Sequence, residues 1–165
     1  MKPYQNRIVV KVGTSTLTNE LGKSDLRCFD RLACVLSDIQ NMGYEVVLVS
    51  SGAIAVGRNK LNMTSKPDSM RMKQAAAAVG QCSLMYLYDK FFGDYDKTVA
   101  QILLNAEDIE QEEKKENLIN TFNALLEMGV IPIVNENDSV SYKEIESEDR
   151  LFGDNDMLSA VVAVL

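Results

Sequence analysis

The sequence predicts an α/β fold in which a mainly parallel sheet is covered by helices on both faces. Three observations carry this. Short apolar runs alternate with helical patterns along the 165 residues. The runs are apolar throughout, not alternately apolar and polar, as expected of strands buried on both sides. Helical segments separate successive runs, which implies βαβ crossovers and parallel pairing.

The elements follow in order. "RIVVKV" is a first strand over residues 7–12. A helix begins near Asp25, with Ser24 or Asp25 able to cap it. Leu26, Phe29, Leu32, Leu36 and Ile39 recur every three or four residues and mark its buried face. It ends at "NMG", where Gly43 suits the left-handed position after a helix. "EVVLV" is a second strand, and "SSGAIAVG" is a glycine-bearing turn leading into an apolar helix. A long helix is expected over 67–92; Gly80 within it costs about 1 kcal/mol unless packing needs the gap. "TVAQILL" is a third strand, followed by a helix with Leu118, Phe122, Leu125 and Leu126 on its apolar face. The acidic run "EDIEQEEKKE" reads as a solvated face. "VIPIV" is a fourth strand, and Pro132, which has no N–H, argues for an edge position or a local irregularity. "SVSYKEIESEDRLFG" suggests a short hairpin, and "DNDMLSAVVAVL" opens a last helix.

Composition narrows the chemistry. A formal net charge of −7 disfavours nucleic acid as a partner. No apolar run reaches the length of a membrane span, and "MKPYQNR" has no apolar core of a secretory signal. A cytoplasmic protein is expected. Cys28, Cys34 and Cys82 have no metal-binding spacing and read as buried thiols in a reducing compartment. The chain contains no histidine. That removes Ser-His-Asp and Cys-His catalysis and all histidine acid–base chemistry. What remains is lysine, carboxylates, hydroxyls, amides and backbone N–H groups.

Three strands end in polar clusters: "KVGTST", "SSGA" and "NEND". Parallel sheets place ligands beyond the carboxyl ends of their strands, so these clusters are expected to meet at one crevice. Lys11 is either a surface lysine or a phosphate contact beside Gly13, whose missing Cβ lets an oxyanion approach the backbone. Thr14, Ser15 and Thr16 are turn hydroxyls or part of a phosphate cradle. Ser51 and Gly52 form a plain cap or an anion-binding helix start. Asn135, Glu136, Asn137 and Asp138 form a surface loop or offer the amides and carboxylate that an amino-acid ligand needs. In "GDND", Asp154 or Asn155 can cap the last helix, while Asp156 can hold Lys11 or orient a metal-bound phosphate. Together these suggest phosphoryl transfer to an acceptor already ionised at neutral pH. Such a transfer needs positioning and charge neutralisation more than a general base.

"VVKVGTSTLT", "LVSSGAIAVG", "KQAAAAVGQ", "VIPIVNENDSV" and "FGDNDMLSA" occur in that order over residues 7–165. They resemble the motifs of the glutamate 5-kinases within the amino-acid kinase family. The resemblance implies a three-layer α/β/α sandwich of the carbamate kinase-like type. It implies ATP-dependent phosphorylation of the L-glutamate side-chain carboxylate to L-glutamyl 5-phosphate, the first step of proline biosynthesis. It also implies magnesium, inhibition by proline, and a homodimer or homotetramer. By it, Lys11 and Asp156 are catalytic, and Ser51, Gly52, Asn135, Asp138 and Asn155 bind the substrate. Lys11, Gly13, Thr14 and Ser15 bind the ATP phosphates, with no side-chain metal ligand assigned. Residues 1–165 then hold the N-terminal, substrate-binding part of the domain. The remainder of the ATP half is expected to lie outside them, and these residues alone are expected to be inactive. "YKEIESEDRLF", between the last two motifs, looks longer than in some relatives, so its loop geometry stays open. Two alternatives stand beside this reading: another kinase of the same family, and a non-catalytic module that binds an amino acid or nucleotide.

Overall fold

A computed structural model describes residues 6–19, 23–140 and 154–164. In chain order the elements are β1 (Arg7–Val12), α1 (Thr14–Leu17), α2 (Leu26–Asn41), β2 (Glu45–Ser50), α3 (Ala53–Lys60) and α4 (Met70–Gly93). They continue as β3 (Val99–Leu104), α5 (Ala106–Glu110), α6 (Glu112–Glu127), β4 (Ile131–Glu136) and α7 (Asp154–Val164). Among the described residues the sheet has four strands in the order β1-β2-β4-β3, all parallel. The expected α/β architecture is what forms.

Strand alternation builds the layers. In β2, Val46 and Leu48 face a core made with Phe29 of α2, Val56 of α3 and Tyr88 and Phe92 of α4. Val47 and Val49 face the other way, onto Phe122 and Leu126 of α6 and Leu158 and Val162 of α7. All four valine and leucine side chains are buried, which is why the run between Glu45 and Ser50 carries no polar residue. Asp25 caps α2, its carboxylate accepting the N–H groups of Arg27 at 3.1 Å and Cys28 at 3.2 Å. Gly43 (φ 93°) and Gly129 (φ 72°) take left-handed conformations just after α2 and α6, so the two "MG" helix stops work alike.

Several expectations are corrected. Pro132 lies in β4, which is flanked on both sides, not at an edge. Its missing N–H is tolerated because amides alternate sides along a parallel strand. Ile131 donates towards β3, to Thr98 O at 2.9 Å, so position 132 turns towards β2. The β2–β4 ladder is paired only from Leu48↔Ile133 onward. Pro132 therefore sits just before the first bond it would have to donate. The long helix starts at Met70, with Ser69 extended before it, instead of at 67. Cys82 is exposed on α4 and Cys28 and Cys34 are half-buried, all as free thiols, so the expectation of three buried thiols fails for the first. The acidic run spreads over α5 and α6 and is mostly exposed. The expected hairpin spans 139–153, of which 141–153 lie outside the described residues.

Candidate functional site

The strand register puts the polar loops at one edge of the sheet. Lys11 pairs with Val49, Val49 with Val134, and Val134 with Ile102, so one row crosses all four strands. The chain leaves every strand within a residue or two of that row. Backbone bonds extend the ladders past it: Ser51 N–H donates to Val12 O and Asn137 N–H to Leu104 O, both at 3.1 Å. The loops after β1 and β2 touch. Gly52 has φ 100°, and a side chain there would begin 3.6 Å from Thr14 Oγ1. The turn thus requires glycine for its backbone conformation.

The first group of candidate residues gathers around Lys11. Its Nζ lies 2.8 Å from Oδ1 of Asp156, in the first turn of α7. The same Nζ reaches across Gly13, close to where a Cβ would stand. Both side chains of the pair are partly exposed, at 34% and 45%. Leu158 and Val162 hold α7 on the sheet and so set where Asp156 stands. Gly13 O accepts from Thr16 N–H at 3.1 Å and Leu17 N–H at 3.3 Å. The amide of Thr16 is therefore committed to the turn and drops out of the expected cradle. Amides at the start of a helical turn have no acceptor within it, which leaves Gly13, Thr14 and Ser15 as the donors suited to an anion. Asn155 falls in the first turn of α7, and its side chain lies outside the described set.

The second group lines a cavity of about 310 Å³ that includes Ala53, Gln81, Gln101, Glu136, Asn137 and Asp138. Ala53 directly follows Ser51 and Gly52, so the β2 loop borders this cavity. Asn135 is 2% exposed, and its Nδ2 donates to Gln81 Oε1 at 2.9 Å. One of its two N–H donors is thus spent within the protein. Ser139 Oγ donates to Asn137 Oδ1 at 2.8 Å, which stiffens the turn carrying Asp138.

Three residues were not singled out in the sequence, Gln81, Gln101 and Tyr88, and Ser50 was noticed only as part of "SSGA". Gln81 and Gln101 line the cavity and bond to each other, Nε2 to Oε1 at 3.2 Å. Gln101 had a signal, a lone polar residue in the apolar run "TVAQILL". Ser50 and Tyr88 form a buried hydroxyl pair at 2.7 Å, with Ser50 Oγ also donating to Ser51 O at 3.2 Å. This fixes the backbone at the start of the β2 loop. Burial drives the Tyr88 phenol well above its ordinary pKa, so it stays a neutral donor. Nothing in the spacing of Ser50 and Tyr88 betrays that they meet.

Among the described residues, no cluster of three or more acidic, thiol or imidazole groups is placed to hold a metal ion. No described helix is long and apolar enough to cross a membrane.

Comparison with known proteins bears on the family. Residues 6–165 match the model of the amino acid kinase family. The chain is 59% identical over 159 residues to a glutamate 5-kinase of Clostridium perfringens, covering 96% of this chain and 59% of that protein. A glutamate 5-kinase of Listeria innocua is 52% identical, with 96% and 57% covered. One of Enterococcus faecalis is 51% identical over 156 residues, with 94% and 57% covered. The chain thus spans less than two thirds of the length of these curated relatives. With a family match over nearly its whole length, the chain belongs to the amino acid kinase family.

Proposed function

We propose that the whole protein transfers the terminal phosphoryl group of ATP to the side-chain carboxylate of L-glutamate, giving L-glutamyl 5-phosphate for proline synthesis. The observation that carries this reading is the Lys11–Asp156 pair over Gly13, at the same sheet edge as the cavity holding Asp138. The relatives named glutamate 5-kinase support the choice of acceptor.

The roles follow from charge. A carboxylate acceptor is ionised at neutral pH, so no group need take a proton from it. The barrier is bringing one anion to another, and Lys11 supplies the positive charge where negative charge builds during transfer. Asp156 aims that ammonium through their 2.8 Å contact. The amides of Gly13, Thr14 and Ser15 receive phosphate oxygens. Asp138 takes the substrate ammonium, with Ser51, Gly52, Asn135 and Asn155 around the rest of the amino acid. One N–H of Asn135 Nδ2 is held by Gln81, which leaves its carbonyl oxygen, its second N–H and its backbone for the substrate. Magnesium fits as a companion of the nucleotide: such ions are commonly held by one or two carboxylates plus phosphates, and Asp156 is a carboxylate at this edge. When bound it neutralises phosphate charge. Cytoplasmic location, proline as a feedback inhibitor and a homodimeric or homotetrameric assembly belong to the same reading.

The test is turnover by the whole protein with ATP, magnesium and a panel of carboxylate amino acids, trapping acyl phosphate with hydroxylamine. Hydroxamate should form with L-glutamate. Turnover of a different acceptor assigns another kinase of the family, and saturable binding without turnover assigns a binding module. Either result overturns the proposal.

A further inference from the structure

We infer that Gln81 is a positioning residue for the amino-acid substrate, setting the turn that carries Asp138 without touching the substrate itself. The inference rests on the proposed reading of the cavity as the glutamate site.

Gln81 follows Gly80, the residue at which α4 closes on α3. A Cβ at Gly80 would overlap the carbonyl oxygen of Ala53, so backbone meets backbone there. The Cα of Gln81 is therefore held firmly relative to the cavity wall. Its side-chain amide uses both ends. Oε1 accepts from Asn135 Nδ2 at 2.9 Å, and Nε2 donates to Gln101 Oε1 at 3.2 Å. One amide thus joins α4, β4 and β3 at this edge. The inner bond is the stronger constraint. Asn135 is buried, and a buried amide that loses its partner is penalised for the lost solvation, so it stays with Gln81.

Asn135 stands three residues before Asp138. Between them, Asn137 N–H is fixed to Leu104 O at 3.1 Å, and Asn137 O accepts Val140 N–H at 3.0 Å. The turn is pinned on the β3 side by that backbone bond and on the α4 side by Gln81. Removing Gln81 takes away the hold on the α4 side, and the turn that carries Asp138 loosens there. Binding sites need their charged groups held to within about 0.5 Å. Gln81 is neutral, so its loss should change substrate affinity without altering the charge that meets the phosphates.

The experiment compares Gln81→Met and Gln101→Met in the whole protein. Gln81→Met keeps the length of the side chain and removes both bonds. It should raise the glutamate KM about tenfold, the order expected for one lost hydrogen bond, and leave the ATP KM unchanged. Hydrogen exchange at the Val140 amide should quicken. Gln101→Met removes only the outer bond from an exposed residue, so it should fold normally and show the same changes more weakly. An unchanged Val140 exchange rate in both variants overturns the inference. A parallel rise in both KM values also overturns it, because that marks a merely structural role. If Gln81→Met does not fold, Gln101→Met decides alone by the same readouts. If the unaltered protein ignores glutamate, the functional reading fails, while exchange at Val140 still decides whether Gln81 holds the turn.

Discussion

Lys11 and Asp156 meet at 2.8 Å, yet a third and nearly half of their side chains remain open to solvent. Pairs this exposed typically contribute about 0–1 kcal/mol, because water screens them and both side chains lose freedom. Stability therefore does not explain the pair; the proposed role in phosphoryl transfer does. Lys11→Ala in the whole protein should leave the thermal midpoint nearly unchanged and the glutamate KM little affected. It should lower kcat about a hundredfold, the scale for losing one donor to charge developing in the transition state. Steady-state kinetics with an unaltered kcat would reject that role. Lys11 was legible in the sequence because a lysine followed by glycine and hydroxyls is an unusual way to leave a strand. Gln81 was not, although it closes the quoted motif "KQAAAAVGQ". Glutamine is an ordinary helix residue, and its meaning comes only from the buried Asn135 it meets across 54 positions.

The packing of α3 on α4 shows how two glycines replace side-chain contact with backbone contact. A Cβ at Gly57 would overlap Ala76 O, and one at Gly80 would overlap Ala53 O. Helical glycine is unfavourable by about 1 kcal/mol relative to alanine, so only close approach justifies Gly80 here. Gly80→Ala should nonetheless destabilise, by about 1–3 kcal/mol, because the obstructing atoms are backbone and cannot rotate away. Gly93, at the end of α4, has no atom near its would-be Cβ. Gly93→Ala should be neutral or stabilise by up to about 1 kcal/mol. Denaturant titration of both variants checks this, and a Gly80→Ala protein as stable as its parent would show that α3 can simply shift. The sequence had exposed the conflict at Gly80 without naming the partner, since the four alanines permit close approach from any side. Of the two readings of Pro132, the edge position fails and the local irregularity holds, for a related reason. A missing donor matters only on the side where a ladder has begun, and the short β2–β4 pairing is a tertiary fact that no local pattern records.

Four parallel strands were readable because a helix separates each from the next, and their shared carboxyl edge follows from that alone. Their order was not readable: β4 inserts between β2 and β3, a choice made by how the helices cover the two faces. The consequence is a site in two parts. Lys11, Gly13 and Asp156 gather at the β1 side under α7, while Asp138 lines the cavity between the β3–β4 edge and α4. If the first part handles phosphate and the second the amino acid, the two ligands should be separable by mutation. A ligand that binds only the folded protein stabilises it, by about 2.7 kcal/mol at a hundred times its Kd. Glutamate and ATP, each saturating, should therefore both raise the thermal midpoint of the whole protein. Asp138→Asn replaces a charge by a dipole opposite the substrate ammonium, and losing such a hydrogen-bonded pair costs about 2–5 kcal/mol. The glutamate increment should then disappear at the same concentration while the ATP increment persists. A surviving glutamate increment would show that Asp138 does not face the ammonium. Loss of both increments would mean that the two parts of the site act as one, through the β2 loop where Gly52 packs on Thr14.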